Sequence, residues 1–383
     1  MKLINLCRPN SVLYGIGASG TTYQPGFPAY LRITDISDLG SLIKPLGAYI
    51  NPSAYPDWER YVLKKNDIVF ARTGNSTGRN YFHNSEDVLV FAGFLIKFSL
   101  DPNKVVPRYV GYYCQSQAYR NQVKSFFEGS TRPTMNAELY KRLDIPIVNR
   151  DLQQHIVGVI GSVDDLIDNI GVQEASTLKV ITSMFLPFES KDLIPIKDYS
   201  PSIIKPEITK FSDEKTYLDT SCVNEIDPID YSYKVTFENR PLRANMQPTI
   251  GSVWTAKMKG SFKVLNITEL DKTILNSCIL STGFLGVQSS QNLPASFLFA
   301  LFTSGPFRAK KDLISTGATM EAINNKDFLS LMVPNATVKE MTAFDQTCSP
   351  ILLRLSSLRE EKQRLVAIKQ QLLTKYFLNR HIS

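Results

Sequence analysis

Tyr30-Leu31-Arg32-Ile33-Thr34-Asp35-Ile36 is echoed 187 positions later by Tyr217-Leu218-Asp219-Thr220-Ser221-Cys222-Val223. Working outward, Asp67-Ile68-Val69-Phe70 is answered by Gly251-Ser252-Val253-Trp254 at a distance of 184. Gly93-Phe94-Leu95 returns as Gly283-Phe284-Leu285 at 190, and Ser116-Gln117-Ala118-Tyr119-Arg120 as Ser304-Gly305-Pro306-Phe307-Arg308 at 188. Thr134-Met135 returns as Thr319-Met320 at 185. Each match is weak alone. Their common order and near-constant offset carry the signal, because chance matches would scatter. The 383-residue chain therefore reads as two copies of one unit, each near 190 residues.

Each copy opens with short apolar runs broken by Gly, Pro, Asn and Asp. Residues 30–36, 67–71 and 88–98 have the length and composition of strands. Residues 110–127 have the spacing of a helix, with Tyr113, Tyr119 and Val123 among its apolar positions. Each copy closes with a long amphipathic helix. In the first, Ile156, Ile160, Val163, Ile167 and Ile170 recur every three or four residues, and Leu178, Ile181 and Phe185 resume the stripe before Pro187. In the second, Leu352, Leu355 and Leu358 are followed by Leu365, Ile368, Leu372, Leu373 and Phe377, beside the charged run Arg359-Glu360-Glu361-Lys362. Near-heptad stripes of this kind need a partner. The two helices are comparable in length, so pairing with each other is preferred over each packing on its own domain. Gly158, Gly161 and Gly171 weaken the first helix, and Pro350 should kink the second or start it afresh. The expected boundaries are a domain at 1–150, a helix at 151–186, a second domain at 187–337 and a second helix at 338–383. The fold class is mixed α/β (α+β): two similar globular domains separated by a pair of long antiparallel coiled-coil helices, with a pseudo-two-fold internal repeat. Antiparallel pairing would place the domains at opposite ends. A helix of about 34 residues spans about 50 Å, enough to bridge one DNA turn of about 34–36 Å.

Composition narrows the function. No apolar stretch is long enough for a membrane span, and Met1 to Pro9 lacks the apolar core of a signal peptide. Five cysteines stand singly, without metal-ligand spacing, and read as free buried thiols of a cytoplasmic protein. The three histidines, His83, His155 and His381, are far apart in sequence, so no metal site or catalytic triad is expected. Net charge is +7, and residues 1–150 carry all of it, with 18 Lys and Arg against 11 Asp and Glu. A basic first domain suits a polyanion such as DNA.

Several runs resemble the specificity subunits of type I restriction-modification systems. They include Leu63-Lys-Lys-Asn-Asp-Ile-Val-Phe-Ala-Arg-Thr-Gly74 with Ser76-Thr-Gly-Arg79, and Phe91-Ala-Gly-Phe-Leu95. Pro107-Arg-Tyr-Val-Gly-Tyr-Tyr113, Leu143-Asp-Ile-Pro146 and Gln153-Gln-His-Ile156 follow in the family's order. Leu365-Val-Ala-Ile-Lys-Gln-Gln-Leu-Leu-Thr-Lys-Tyr-Phe377 resembles its closing helix, with Leu178-Lys-Val-Ile-Thr-Ser-Met-Phe185 as counterpart. The likeness covers nearly the whole chain and thins in the second globular domain, where Ala-Arg-Thr-Gly becomes Thr255-Ala256-Lys257-Met258. The resemblance implies two target-recognition domains, each reading half of an asymmetric bipartite site in double-stranded DNA. It implies helices that set the spacer and dock methyltransferase subunits, two in number, for DNA methylation. It implies a translocase-nuclease subunit that joins for restriction. It implies a non-catalytic protein with no cofactor.

Candidate DNA contacts in the first domain are Arg72, Thr73, Asn75, Ser76, Thr77 and Arg79, which crowd donors into a glycine-hinged turn. Arginine can read guanine bidentately and asparagine adenine, and backbone N–H groups can meet phosphate. The alternative is a structural turn whose Arg72 pairs with an internal carboxylate. Thr131, Arg132 and Asn136 form a second polar tip. Lys64 and Lys65 are expected on a solvated edge. Gly15-Ile16-Gly17-Ala18-Ser19-Gly20 matches the dinucleotide-binding pattern, but Thr21, Thr22, Pro25, Gly26 and Pro28 deny it the helix whose N-terminus would hold a pyrophosphate. Asn51-Pro52-Ser53-Ala54 falls short of an adenine-methyltransferase loop. Two other functions stay open at this level: a fused methyltransferase or nuclease with unrecognised motifs, and a coiled-coil interaction protein that does not bind DNA.

Overall fold

The structure is a computed structural model, and it describes residues 1–43, 46–127, 134–317 and 321–378. The chain forms two compact units, Met1–Leu166 with Val366–Ser383, and Ile167–Leu365. Each unit therefore contains one globular domain and a piece of both long helices.

In the first unit the strands are β1 (Leu13–Tyr14), β2 (Ala29–Leu31), β3 (Asp67–Ala71), β4 (Asn80–His83), β5 (Leu89–Phe91) and β6 (Leu95–Ser99). Helices α1 (Pro107–Tyr113), α2 (Gln117–Ser125) and α3 (Ala137–Lys141) follow, then α4 (Arg150–Glu189). An antiparallel sheet runs β1-β6-β3-β4, and β2 pairs with β5 in parallel. Strand β3 is buried along its whole length. Ile68 and Phe70 enter a core with Tyr109, Tyr119, Tyr140 and Ile156, while Val69 and Ala71 face a second core with Leu31 and Phe91. Burial on both faces explains why Asp67-Ile-Val-Phe-Ala lacks polar alternation. The glycine run at 15–20 follows β1 and opens no helix. A Cβ on Gly15 would lie 2.1 Å from the Ala92 carbonyl oxygen, so that glycine permits close approach of two backbones.

The second unit repeats the plan with insertions. Its strands are β7 (Leu193–Pro195), β8 (Ser202–Ile203), β9 (Lys215–Leu218), β10 (Val223–Asn224), β11 (Asp227–Pro228), β12 (Lys234–Val235), β13 (Ala244–Met246), β14 (Ser252–Ala256) and β15 (Val264–Asn266). Helix α5 (Lys272–Ser277), β16 (Cys278–Ser281) and β17 (Phe284–Gln288) lead to α6 (Ala295–Thr303), α7 (Gly305–Ile314), α8 (Asn325–Ser330), β18 (Met332–Pro334) and α9 (Val338–Phe377). The sheet β8-β17-β14-β15 has the order of β1-β6-β3-β4, and the parallel pair β9–β16 answers β2–β5. Helix caps repeat too. Ser116 Oγ accepts from Tyr119 N and Ser304 Oγ from Phe307 N, both at 3.3 Å. Asn136 and Asn324 cap α3 and α8 alike.

Some expectations shift in detail. Residues 33–35 form a 3-10 turn instead of extending β2, because the Asp35 carboxylate accepts from Arg32 N at 2.8 Å. Residues 88–98 hold two strands, β5 and β6, which join different sheets. The helix foreseen at 110–127 is two helices, because the Ser116 cap restarts it. Strand pairing matches Ala71 with Ala256, an offset of 185, and Leu95 with Phe284, an offset of 189. The true registers are thus one residue from those read by identity. Thr319 and Met320 lie outside the described residues.

Helix α9 runs through Pro350, and α4 carries Pro187 in its last turn. The two helices pack antiparallel in each unit. In the first, Lys369 Nζ lies 2.6 Å from Asp164, and Tyr376 meets His155. In the second, Lys362 pairs with Glu174 at 2.9 Å while Phe344 contacts Phe185 and Phe188. Each helix also serves a domain core, as Ile156 and Ile160 do in the first unit. Within the charged run of α9, Arg359 and Glu360 are buried. Arg359 donates to Asp271 at 2.5 Å, and Glu360 accepts from Thr273 N at 2.8 Å. Burial alone would lower the Arg359 pKa, but Asp271 and Asp227 overcome it and raise it. No helix of the described residues is long and apolar enough to cross a membrane.

Candidate nucleic-acid interface

Residues 72–79 join β3 to β4 as a turn with a fixed base and an open tip. Ala71 N donates to Arg79 O at 2.8 Å and Gly78 N to Ala71 O at 3.0 Å, closing the base. Two buried tyrosines hold it from below. The Tyr140 hydroxyl donates to Ala71 O at 2.6 Å and accepts from Gly78 N at 3.1 Å, and the Tyr119 hydroxyl donates to Gly78 O at 2.8 Å. Gly78 has φ +90°, and a Cβ there would lie 2.8 Å from Val123 Cγ1. Gly74 has φ +69° in open space and turns the chain at the tip. Thr73 bridges Thr134, which brings the approach to α3 alongside.

The foreseen contact residues take different positions in this frame. Arg72 is stapled through its backbone to Phe94 O at 3.1 Å and Met135 N at 2.9 Å. Its guanidinium stands 5.3 Å from the Tyr14 ring centroid, and it forms no salt bridge with a described carboxylate. Asn75 is exposed at the tip, with Ser76 and Thr77 half-buried behind it. Arg79 is held on the flank by Asp38 at 2.5 Å, whose carbonyl also accepts from Arg120 at 3.0 Å. Asn136 is exposed, but its Oδ1 accepts from Leu139 N at 3.0 Å as a helix cap. Its amide N–H2 stays free to donate to a base. Thr131 and Arg132 lie outside the described residues. Lys64 and Lys65 are exposed at the turn before β3. Sequence reasoning missed Tyr14, Asp38 and Arg120, which approach the turn from remote positions and carry no local signal.

The second domain has the same turn in different residues. Ala256 N donates to Lys263 O at 2.9 Å, as Ala71 N does to Arg79 O. Lys257 N donates to Gly283 O at 2.9 Å and Lys257 O accepts from Ile323 N at 3.0 Å, as at Arg72. Lys257 and Lys263 therefore replace Arg72 and Arg79. Pairing Ala71-Arg72 with Ala256-Lys257, one residue from the alignment read in the sequence, would have found them. Tyr119 and Tyr140 become Phe307 and Phe328, which have no hydroxyl. Lys311, at the position of Val123, supplies the missing bonds. Its buried ammonium donates to the carbonyls of Ala256 (3.2 Å), Met258 (2.8 Å) and Ser261 (2.7 Å).

Among the described residues no cluster of His, Cys, Asp and Glu could hold a metal ion. In both domains the turn is flanked by cationic side chains, Arg72 and Arg79 in the first and Lys257 and Lys263 in the second. Residues 19–179 match the family described as type I restriction modification DNA specificity domain. No curated protein matches the chain. Among solved structures, the chain is similar to the type I restriction-modification S subunit from M. genitalium, at 12% identity and TM-score 0.48, over 98% of this chain and 94% of that one. It is similar to the HsdS subunit from Thermoanaerobacter tengcongensis, at 14% identity and TM-score 0.36, over 99% and 96%. A chain from a study of complex assembly and conformational transition of the type I R-M system has 14% identity and TM-score 0.38, over 99% and 97%. The first domain thus resembles a DNA-specificity domain. The family match covers the first globular domain and most of α4.

Proposed function

We propose that the protein is the specificity subunit of a type I restriction-modification complex that reads an asymmetric bipartite site in double-stranded DNA. The domain at 1–150 reads one half-site and the domain at 187–337 the other. The helices at 151–186 and 338–383 set the spacer and dock two methyltransferase subunits. A translocase-nuclease subunit completes the restricting complex, which acts in the cytoplasm. The turn at 72–79, the tip at 131–132 and Asn136 supply contacts in the first domain.

One observation carries this reading. A single fold occurs twice, and each copy projects the same backbone turn flanked by cations, Arg72 and Arg79 in one and Lys257 and Lys263 in the other. Equal scaffolds with unequal turn residues suit two different half-sites, since base edges are distinguished by side-chain donors and acceptors. The test is to reconstitute the protein with its methyltransferase subunits and map the methylated bases. Two short blocks separated by a fixed unread spacer are expected. One contiguous block, or methylation without sequence preference, would overturn the bipartite reading.

A further inference from the structure

The sequence places its charge excess in residues 1–150, yet the second domain has a cationic pair of its own. Lys257 Nζ donates to Thr282 O at 2.9 Å. Thr282 N in turn donates to Arg243 O at 2.8 Å, which brings Arg243 beside Lys257. The Arg243 guanidinium lies over Gly283, where a Cβ would stand 2.8 Å from Nη2. Glycine at 283 therefore makes room for that side chain. The position corresponds to Phe94 in the first domain, because Phe94 O and Gly283 O accept from Arg72 N and Lys257 N alike. Burial lowers the Lys257 pKa, and the charge of Arg243 lowers it further. Neither cation forms a salt bridge with a described carboxylate, whereas nearby Lys259 pairs with Glu321 at 2.7 Å. Two neighbouring like charges without a counter-ion are stabilised by an arriving anion.

We infer that Lys257 and Arg243 form a phosphate-binding pair through which the second domain grips the DNA backbone. The pair rests on the DNA-recognition reading and adds to it the anchor of the half whose sequence has diverged. Lys311 positions the turn that carries Lys257.

The test uses the full chain, a labelled random-sequence duplex and a salt titration. Wild-type affinity is expected to fall steeply with salt. Each phosphate contact contributes about 0.9 to the slope of log K against log salt. Lys257→Gln with Arg243→Gln is expected to reduce that slope by roughly 1 to 2. Lys257→Arg with Arg243→Lys is expected to keep it. Gly283→Ala, whose Cβ meets the Arg243 guanidinium more closely than Ser281 or Thr220, is expected to lose about half of the effect. Should the double glutamine variant fail to fold, the Gly283→Ala slope decides. A wild-type slope in the glutamine variant and in Gly283→Ala, with salt-sensitive binding by the wild-type chain, would overturn the pair and leave the DNA-recognition reading standing. No salt-sensitive binding by the wild-type chain would overturn both.

Discussion

At the residue scale the two arginines of the first turn differ in what already holds them. Arg72 stands over Tyr14 without a described carboxylate, so its removal leaves no buried charge behind. Arg72→Ala is expected to weaken DNA binding by about 1–3 kcal/mol if it reads a base, and to relax one position of the site. The melting temperature should not move. Arg79 is paired with Asp38, and both side chains are partly exposed. Arg79→Ala is expected to weaken binding and to cost up to about 1 kcal/mol of stability, since exposed pairs contribute little. Arg132→Ala is expected to weaken binding alone. Fluorescence anisotropy and calorimetry on the three variants separate these outcomes, and unchanged binding in all three would remove the turn from the DNA. The cysteines give an independent check of packing. All five are free and buried, and burial pushes the thiols of Cys7, Cys278 and Cys348 up to about 12. Native protein at neutral pH should therefore resist alkylation, because the thiolate is the reactive form. Rapid labelling of any of the three, read by mass spectrometry, would contradict the packing.

At the element scale the two turns solve one problem with different chemistry. The carbonyls at the base of each turn are drawn inward and need donors, since an unmet buried acceptor costs about 1–3 kcal/mol. The first domain uses two tyrosine hydroxyls, and the second uses the single ammonium of Lys311 with phenylalanines beside it. Lys311→Met is expected to destabilise the second unit by about 1–3 kcal/mol. Adding Phe307→Tyr and Phe328→Tyr to Lys311→Val should recover most of that loss, because it transfers the first domain's solution. Urea unfolding measures both. A triple variant no more stable than Lys311→Met would show that the two arrangements are not interchangeable. This exchange also explains what the sequence concealed. The strand at Asp67–Ala71 was legible because both faces are buried and its apolar run is unbroken. The long helices were legible because Ile156, Ile160, Val163, Ile167 and Ile170 recur every three or four residues. The second domain's turn was not, because Tyr119, Tyr140 and Val123 change together to Phe307, Phe328 and Lys311. Each substitution looks unrelated until the bonds are seen. Asp38 escaped notice because it meets Arg79 across 41 residues of chain. The burial of Arg359 had no local signal, because the carboxylates that pair with it, Asp227 and Asp271, lie about 90 to 130 residues earlier.

At the scale of the whole molecule, both long helices cross the boundary between the compact units, α4 after Leu166 and α9 after Leu365. Helix α4 has 40 residues and at about 1.5 Å per residue is about 60 Å long. The proposed role of the helices as the ruler of the spacer makes this boundary the place to test it. Four residues inserted in both helices, after Leu166 and after Leu365, lengthen each by about one turn, roughly 6 Å, and nearly restore the buried face. That length is close to two base pairs of duplex. The globular domains and their turns are untouched, so the bases read in each half-site should stay the same while the unread spacer changes. An insertion in α4 alone is the control. It should displace pairs such as Lys369–Asp164 or Lys362–Glu174 from register without lengthening the partner helix. The result should be lost stability instead of a new spacer. Sequencing the methylated sites of the reconstituted complex reads both variants. A doubly extended protein that methylates the wild-type spacer with full activity would show that something other than these helices fixes the distance between half-sites.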